Sequence, residues 1–361
     1  MRLSNQELKE ILQKPEEFID MANLVYINDE DLCITRHKHG RGFYYKDKSG
    51  QKITQADEKK RIKALVIPPN WKDVRITSII NGHLQAVGRD DKKRKVYLYH
   101  QSWTEFKNQT KFYKMLAFGN QLTKIRKQVE KDLSLKGMPK QKVIALVIRL
   151  MEETHIRIGN HYYAQKNKTY GLSTLRSKHV NISKDLLALD FIGKKGKEHH
   201  IEITDKNLIE LVQNCEEIPG WELFKYYDET GDKQIIDSGL VNKYIQNSCG
   251  EFFSAKDFRT WAATKIYFET LKDFDMTEDE KKQQKNIISA LDKAAEALGN
   301  TRAVCKSYYV HPVVTEKYLD GSIKTYFDQV DKRKENQNSS LSNTEEILID
   351  LMKDFELDLS D

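Results

Sequence analysis

Two adjacent phenols, Tyr308 and Tyr309, stand directly before Val310-His311-Pro312, and the glycine-bounded run Gly193-Lys194-Lys195-Gly196-Lys197 places three lysines in one turn. Arginines stand in Ile156-Arg157-Ile158-Gly159-Asn160 and in Lys256-Asp257-Phe258-Arg259-Thr260-Trp261. Such side chains would serve an attack on a phosphodiester. A tyrosine phenol, with a pKa of about 10, is a poor nucleophile at neutral pH. It needs cations to stabilise the charge that develops on phosphorus, an acid to protonate the leaving oxygen, and a neutral donor for a non-bridging oxygen. Arginine suits the first task because its planar fork donates two bonds to phosphate and keeps its charge. Lysine suits the second because neighbouring cations lower its pKa until it can release a proton. With 60 basic residues in the chain, residue types alone select no single set.

The surrounding words do select one. Ile156-Arg157-Ile158-Gly159-Asn160, followed by Tyr170-Gly171-Leu172-Ser173-Thr174-Leu175 and Lys178-His179-Val180, resembles the first arginine motif of the type IB DNA topoisomerases, in the compact form of bacteria and poxviruses. Phe191-Ile192-Gly193-Lys194 is similar to the hairpin that carries that family's general-acid lysine, and Lys256 to Trp261 to its second arginine motif. Leu298-Gly299-Asn300-Thr301, Val304-Cys305-Lys306-Ser307 and Tyr309-Val310-His311-Pro312 resemble its tyrosine segment. Further words lie upstream: Ile67-Pro68-Pro69-Asn70-Trp71-Lys72-Asp73-Val74, Gln85-Ala86-Val87-Gly88-Arg89-Asp90 and Tyr97-Leu98-Tyr99-His100. The resemblance runs from Arg36 to Pro312, with its words in the family's order and spacing.

The resemblance implies that Arg157 and Arg259 clamp the scissile phosphate, that Lys194 protonates the leaving 5′-oxygen, and that Tyr309 is the nucleophile, becoming joined to a 3′-phosphate. Asn300 stands where poxvirus-type enzymes have histidine; its amide can donate a hydrogen bond to a non-bridging oxygen but cannot titrate. Tyr97 and Tyr99 match DNA-contacting positions, and Arg89, Lys93, Arg94 and Tyr163 are read with them as DNA contacts. The run Lys92-Lys93-Arg94-Lys95 beside these tyrosines fits a surface that tracks the DNA backbone. The family also implies a monomer that closes on duplex DNA as a C-shaped clamp and relaxes supercoils without ATP, obligatory metal or other cofactor.

Bland readings stand beside these. Tyr308 competes with Tyr309, although the spacing to Val310-His311-Pro312 favours the latter. Lys195 and Lys197 compete with Lys194, because hairpin registers slip easily. His37, His39, His199 and His200 have no spacing that closes a metal-ligand set, and are read as solvated or phosphate-facing. Among functions, a tyrosine recombinase uses the same chemistry, but usually has histidine three residues before the second arginine, where this chain has Lys256. A non-catalytic duplex-binding protein would not need the full set of Arg157, Lys194, Arg259 and Tyr309. An RNA-directed enzyme of the same fold stays open.

The elements that must position these residues follow from periodicity. From Leu24 to Trp103 the chain is strand-like, with turns at Asn28-Asp29, Gly40-Arg41-Gly42, Lys48-Ser49-Gly50 and Asn81-Gly82; Leu24 to Ile27 and Val96 to Tyr99 read as strands. A short helix is expected over residues 1–20 and another over Lys59 to Leu65. From Phe106 the spacing turns helical, and a second helix places Val143, Leu146, Val147, Leu150 and Met151 on one face. Leu187 to Ile192 and His199 to Ile203 read as a hairpin. Ser254 with Asp257, and Thr277 with Glu280, are capping-box signatures, and Leu298-Gly299 reads as a helix end. The expected fold is α+β: a mainly β DNA-binding domain over 1–105, a larger mainly α catalytic domain with a small hairpin sheet over 106–330, and, over 331–361, a polar linker from Asp331 to Asn343 with a short amphipathic helix from Ile347 to Phe355.

Composition narrows the setting. Charged residues are 32% and hydrophobic residues 39%, with a formal net charge of +6, a mild excess that suits a polyanionic partner. The segment from Glu345 to Asp361 is acidic. Four widely spaced cysteines (Cys33, Cys215, Cys249, Cys305) make neither a disulfide framework nor a zinc site. MRLSNQELKE has no apolar signal region, and the longest aliphatic run, Val143 to Ile148, is far too short to span a bilayer. A reducing, cytoplasmic setting with no membrane association is expected.

Overall fold

The structure, a computed structural model, describes residues 7, 10–11, 13–250, 252–334 and 339–355. They fall into two compact units, one up to Tyr113 and one from Lys114 to Phe355. In the first unit, β1 (Ile34–His39) and β2 (Gly42–Lys46) form a hairpin, then come α1 (Ala56–Ala64), β3 (Lys72–Ile76), β4 (Leu84–Arg89) and β5 (Lys95–Tyr99). All strand pairs are antiparallel, in the order β2-β1-β3-β4-β5. Ile34, Val74, Ile76 and Ala86 from the sheet pack with Ile53 and with Ile62 of α1. Carboxylates shape the turns: Asp90 accepts the N–H groups of Lys92 and Arg94, both at 2.9 Å, and so closes the β4–β5 connection.

Leu24 to Ile27 is not the strand expected. It makes one bridge, Val25 to Gly82, and stops because the N–H of Ile27 goes to His83 Nδ1 at 3.0 Å instead of to a neighbouring carbonyl. Pro15–Ala22 is a 3₁₀ helix; much of the leading helix expected over 1–20 lies outside the described residues.

The long helix α2 (Gln101–Leu133) carries the chain across the boundary between units. After it come α3 (Lys140–Thr154), α4 (His161–Asn167), the antiparallel sheet β6 (Val180–Ile182), β7 (Leu187–Ile192) and β8 (Glu198–Ile203), and α5 (Lys206–Glu216). The pair β9 (Lys225–Tyr227) and β10 (Lys233–Ile235) precedes α6 (Ser238–Cys249) and α7 (Ala255–Lys272). The chain continues through α8 (Glu280–Ala297), α9 (Arg302–Tyr308), α10 (Pro312–Leu319), α11 (Ile323–Lys332) and α12 (Asn343–Met352). The fold is α+β. Two helices form the centre of the second unit. α3 buries every residue from Val143 to Ile148, and α7 is buried on nearly all sides, against α3, α6, α8, α10 and α12.

The helix ends show how closely the sequence signals hold. Ser254 and Asp257 do open α7, the Ser254 N–H donating to the Asp257 carboxylate at 2.8 Å. For α8 the cap is Asp279, not Thr277: its carboxylate takes the N–H groups of Lys281 and Lys282 at 2.9 and 3.2 Å, while the Thr277 hydroxyl oxygen accepts from Asp279. The last helix begins earlier than expected, with Ser342 and Glu345 forming its capping box, and it is buried around most of its surface, not on one face. Among the described residues no helix is long and apolar enough to cross a membrane.

Candidate active site

Arg157 leaves α3 just past a reversal at His155, whose φ of 54° ends the helix. Its backbone is held by the 171–173 loop, with Leu172 N–H donating to Arg157 O at 2.9 Å and Ser173 N–H to Ile158 O at 2.7 Å. Only glycine fits at 171, because a Cβ there would run into Arg157 O and lie 2.6 Å from Gly159 N. The Arg157 guanidinium donates from Nη2 to Asn300 Oδ1 at 2.6 Å. Asn300 follows the turn that ends α8, where Gly299 has φ +61° and the Asn300 N–H reaches Ala295 O at 2.8 Å. The capping of α9 falls to Thr301, whose side chain accepts from Val304 N–H at 3.4 Å. Asn300 thus keeps its amide for the site, and its buried Nδ2 has no partner among the described residues.

Arg259, on α7, is 4% exposed. It donates from Nη1 to His155 O and from Nη2 to Leu298 O, the latter at 2.7 Å. Both carbonyls are C-caps, of α3 and α8, so a cation meets two helix ends where partial negative charge collects. The Tyr309 ring centroid lies 5.9 Å from the Arg259 guanidinium carbon. Tyr309 is the C-cap of α9; its carbonyl accepts from the buried Thr264 hydroxyl at 3.1 Å, and the His311 N–H donates to the Thr264 hydroxyl oxygen, also at 3.1 Å. Tyr308, by contrast, is 48% exposed.

The electrostatics are those of a site for an anion. Among the described residues no carboxylate forms an ion pair with Arg157 or Arg259. Burial and the neighbouring Arg157 charge push Arg259 down to about 10, against the pull of Tyr309, which leaves it a cation at neutral pH. Burial and the charge of Arg259 push His155 down to about 4. Burial, then Lys197, Arg157 and Arg259, lowers His199. Each guanidinium has five N–H donors, of which Arg259 spends two on carbonyls and Arg157 one on Asn300. The remaining donors and the Asn300 amide can receive a phosphate beside the phenol. Among the described residues no group of three or more His, Cys, Asp or Glu side chains could hold a metal ion.

Four of the residues singled out in the sequence, Arg157, Arg259, Asn300 and Tyr309, thus lie together. Lys194 stands exposed on the β7–β8 turn, with no hydrogen bond or ion pair to these four among the described residues. Lys197 approaches instead, its Nζ 3.5 Å from where a Cβ on Gly299 would sit. Tyr163 is exposed beside Tyr162 on α4. In the first unit Tyr97 and Tyr99 stack on one exposed face of β5 with centroids 6.0 Å apart, Lys95 lying over Tyr97. Arg89, Lys93 and Arg94 are exposed at the adjoining turn, where Arg89 donates to Lys93 O at 3.1 Å and Arg94 pairs with Asp90. Sequence reasoning missed His155 and Thr264 at the site and read His199 only as solvated or phosphate-facing, since each acts through a tertiary contact.

A mainly helical unit that gathers two arginines with no carboxylate partner among the described residues, an amide and a tyrosine has the make-up of an enzyme acting on phosphodiesters. Comparison with known proteins makes this specific. The family model for the eukaryotic DNA topoisomerase I catalytic core matches residues 100–337, and that for the N-terminal domain of bacterial DNA topoisomerase IB matches residues 42–90. The chain is similar to DNA topoisomerase 1B of Acanthamoeba polyphaga mimivirus, 33% identical over 293 residues that cover 79% of this chain and 87% of that protein. It is 24% identical to DNA topoisomerase 1B of Vaccinia virus (strain Copenhagen) over 253 residues, covering 67% and 76%. The chain belongs to the type IB DNA topoisomerases, enzymes whose substrate is DNA.

Proposed function

We propose that this topoisomerase relaxes supercoiled duplex DNA through Tyr309 as nucleophile. The phenolic oxygen bonds to the scissile phosphorus, the bond to the 5′-oxygen breaks, and a 3′-phosphotyrosyl link holds the strand until the 5′-hydroxyl reverses the step. Arg157, Arg259 and the Asn300 amide stabilise the charge on the non-bridging oxygens. A lysine of the β7–β8 turn protonates the 5′-oxygen: Lys194 by the family's motif, with Lys195 and Lys197 as its rivals. One observation carries this reading. Two guanidinium groups with no carboxylate partner among the described residues stand with the Tyr309 ring and an unpartnered amide donor. Like charges held so close call for an anion between them.

Duplex DNA would be met by Tyr97, Tyr99, Arg89, Lys93 and Arg94 of an N-terminal DNA-binding domain and by Tyr163 of the catalytic domain. The enzyme acts as a cytoplasmic monomer, without ATP or obligatory metal. The test is relaxation of a supercoiled plasmid in EDTA without ATP, followed by denaturant trapping of the protein–DNA adduct. Relaxed circles and a trapped adduct that is absent in Tyr309→Phe are expected. Strict dependence on ATP or magnesium, or strand exchange in place of relaxation, overturns the reading.

A further inference from the structure

The β7–β8 hairpin reaches the site at two points. One is a backbone bond, Tyr170 N–H to Ile192 O at 2.8 Å, which ties β7 to the loop beside Arg157. The other is His199. It lies directly across from Phe191 in the hairpin register and stacks on that ring, centroids 4.8 Å apart at 9°. A Cβ placed on Gly193 would lie 2.6 Å from His199 Nε2, and one placed on Gly299 would lie 3.0 Å from His199 Cε1. The imidazole is therefore seated between two glycines, one opening the lysine turn and the other immediately before Asn300. Gly299 needs its small size for another reason, its φ of +61°. Gly193 does not: with φ −92° and ψ −167° its backbone suits any residue, and what leaves no room for a side chain there is the ring of His199.

We infer that His199 is a positioning residue that docks the lysine-bearing hairpin onto the Gly299-Asn300 turn, so that the general acid and the phosphate-binding amide keep a fixed separation. It rests on the active-site reading above. His199 neither attacks nor transfers a proton; it is the spacer between the element that carries the acid and the element that holds the phosphate. Its loss would let the hairpin drift from the leaving oxygen while leaving Arg157, Arg259, Asn300 and Tyr309 in place. The defect should therefore fall on leaving-group protonation and spare the rest of the reaction.

The experiment is single-turnover cleavage of two duplexes, one with an ordinary scissile phosphate and one with sulfur in place of the bridging 5′-oxygen. Thiolate departs without an acid, so the sulfur-bridged strand reports everything except protonation. His199→Ala should slow the ordinary strand on the order of a hundredfold, the cost of a misplacement of about 1 Å, and cleave the sulfur-bridged strand at close to the wild-type rate. That second rate also shows the variant to be folded. Gly193→Ala should give the same selective loss, because its methyl displaces the ring, and should add little once His199 is already alanine. Equal slowing on both strands, no slowing, or full additivity of the two substitutions overturns the inference. Tyr309→Phe and Lys194→Ala, run in parallel, test the underlying reading separately. They can behave as proposed while His199→Ala is unselective, and then the docking role alone falls.

Discussion

The Arg259 side chain is a structural clamp and, in the proposed mechanism, also a phosphate-binding group. Its donors close the C-termini of α3 and α8 through His155 O and Leu298 O, and the same planar fork faces Tyr309. Lysine could not replace it, since a point charge cannot span two carbonyls and a phosphate in one plane. Asn300 is the residue whose role the structure sharpens most. A purely local role, capping the helix that ends at Leu298-Gly299 or beginning the next turn, was open in the sequence; the Asn300 backbone N–H does close α8 on Ala295 O and Thr301 caps α9, while the Asn300 side chain turns its carbonyl to Arg157 and leaves its Nδ2 unpartnered among the described residues. Losing one preorganised donor to an oxyanion costs on the order of 10²–10³ in rate. Asn300→Ala should show that loss in single-turnover cleavage with DNA affinity little changed. Asn300→Asp should be worse, because a carboxylate sets an acceptor and a negative charge against the phosphate; near wild-type cleavage by that variant would refute the role. The two tyrosines separate in the same way. Tyr308→Phe should still trap the covalent adduct and Tyr309→Phe should not, and the reverse result would shift the nucleophile by one residue.

At the scale of elements, the words that carry the chemistry were also the most legible structure. The β7–β8 hairpin has the strand limits expected on the β7 side and begins β8 one residue early, at Glu198, because a short apolar run followed by a glycine-bounded turn is visible without tertiary context. The last helix was less so. Ile347, Leu348, Ile349, Leu351 and Met352 are all buried, against α7, α10 and α11. Its anchor is polar: Glu345 receives two bonds from Arg126, each 2.8 Å, and one from Trp261 Nε1 at 3.1 Å. Burial alone would raise the Glu345 carboxyl, but the hydrogen bonds and charge of Arg126 overcome it and hold the group at about 2. Glu345→Ala leaves Arg126 half-paired in a buried place and should destabilise the protein by about 3 kcal/mol in urea unfolding. A change within about 0.5 kcal/mol, the size of an ordinary surface substitution, would mean that apolar packing alone seats the helix. The folded carboxyl titrates below its unfolded value of about 4.3, so this contribution is complete above that pH and is lost as pH falls toward about 2.

For the whole molecule, binding to DNA should weaken steeply with salt, since each phosphate contact releases roughly 0.9 counterion on B-DNA; a flat response in fluorescence titration would argue against backbone tracking. Stability should depend on pH in the same direction as for Glu345, but in a higher window. Burial, with nearby cations, holds His155 and His179 at about 4, below an unfolded value of about 6.5. The unfolded chain therefore takes up protons first, so stability is greatest above pH 6.5 and falls as pH drops toward 4. The midpoint of thermal unfolding should decline across that window, and His155→Asn should flatten the decline; a midpoint unchanged between pH 7 and pH 4.5 counts against it. By itself the sequence determined the family, the α+β class and four residues that the fold brings together, because those words carry local backbone geometry as well as chemistry: glycines at 159, 171 and 299 where the chain must turn or approach itself closely. Only the tertiary structure decided that Asn300 faces Arg157, that Thr264 holds the Tyr309 backbone, and that His199 fits between Gly193 and Gly299. Each is a contact between residues 45 or more apart in sequence, apart from that of His199 with its own hairpin turn. Periodicity reports which face of one element is buried, but not which side chain of a distant element will meet it there.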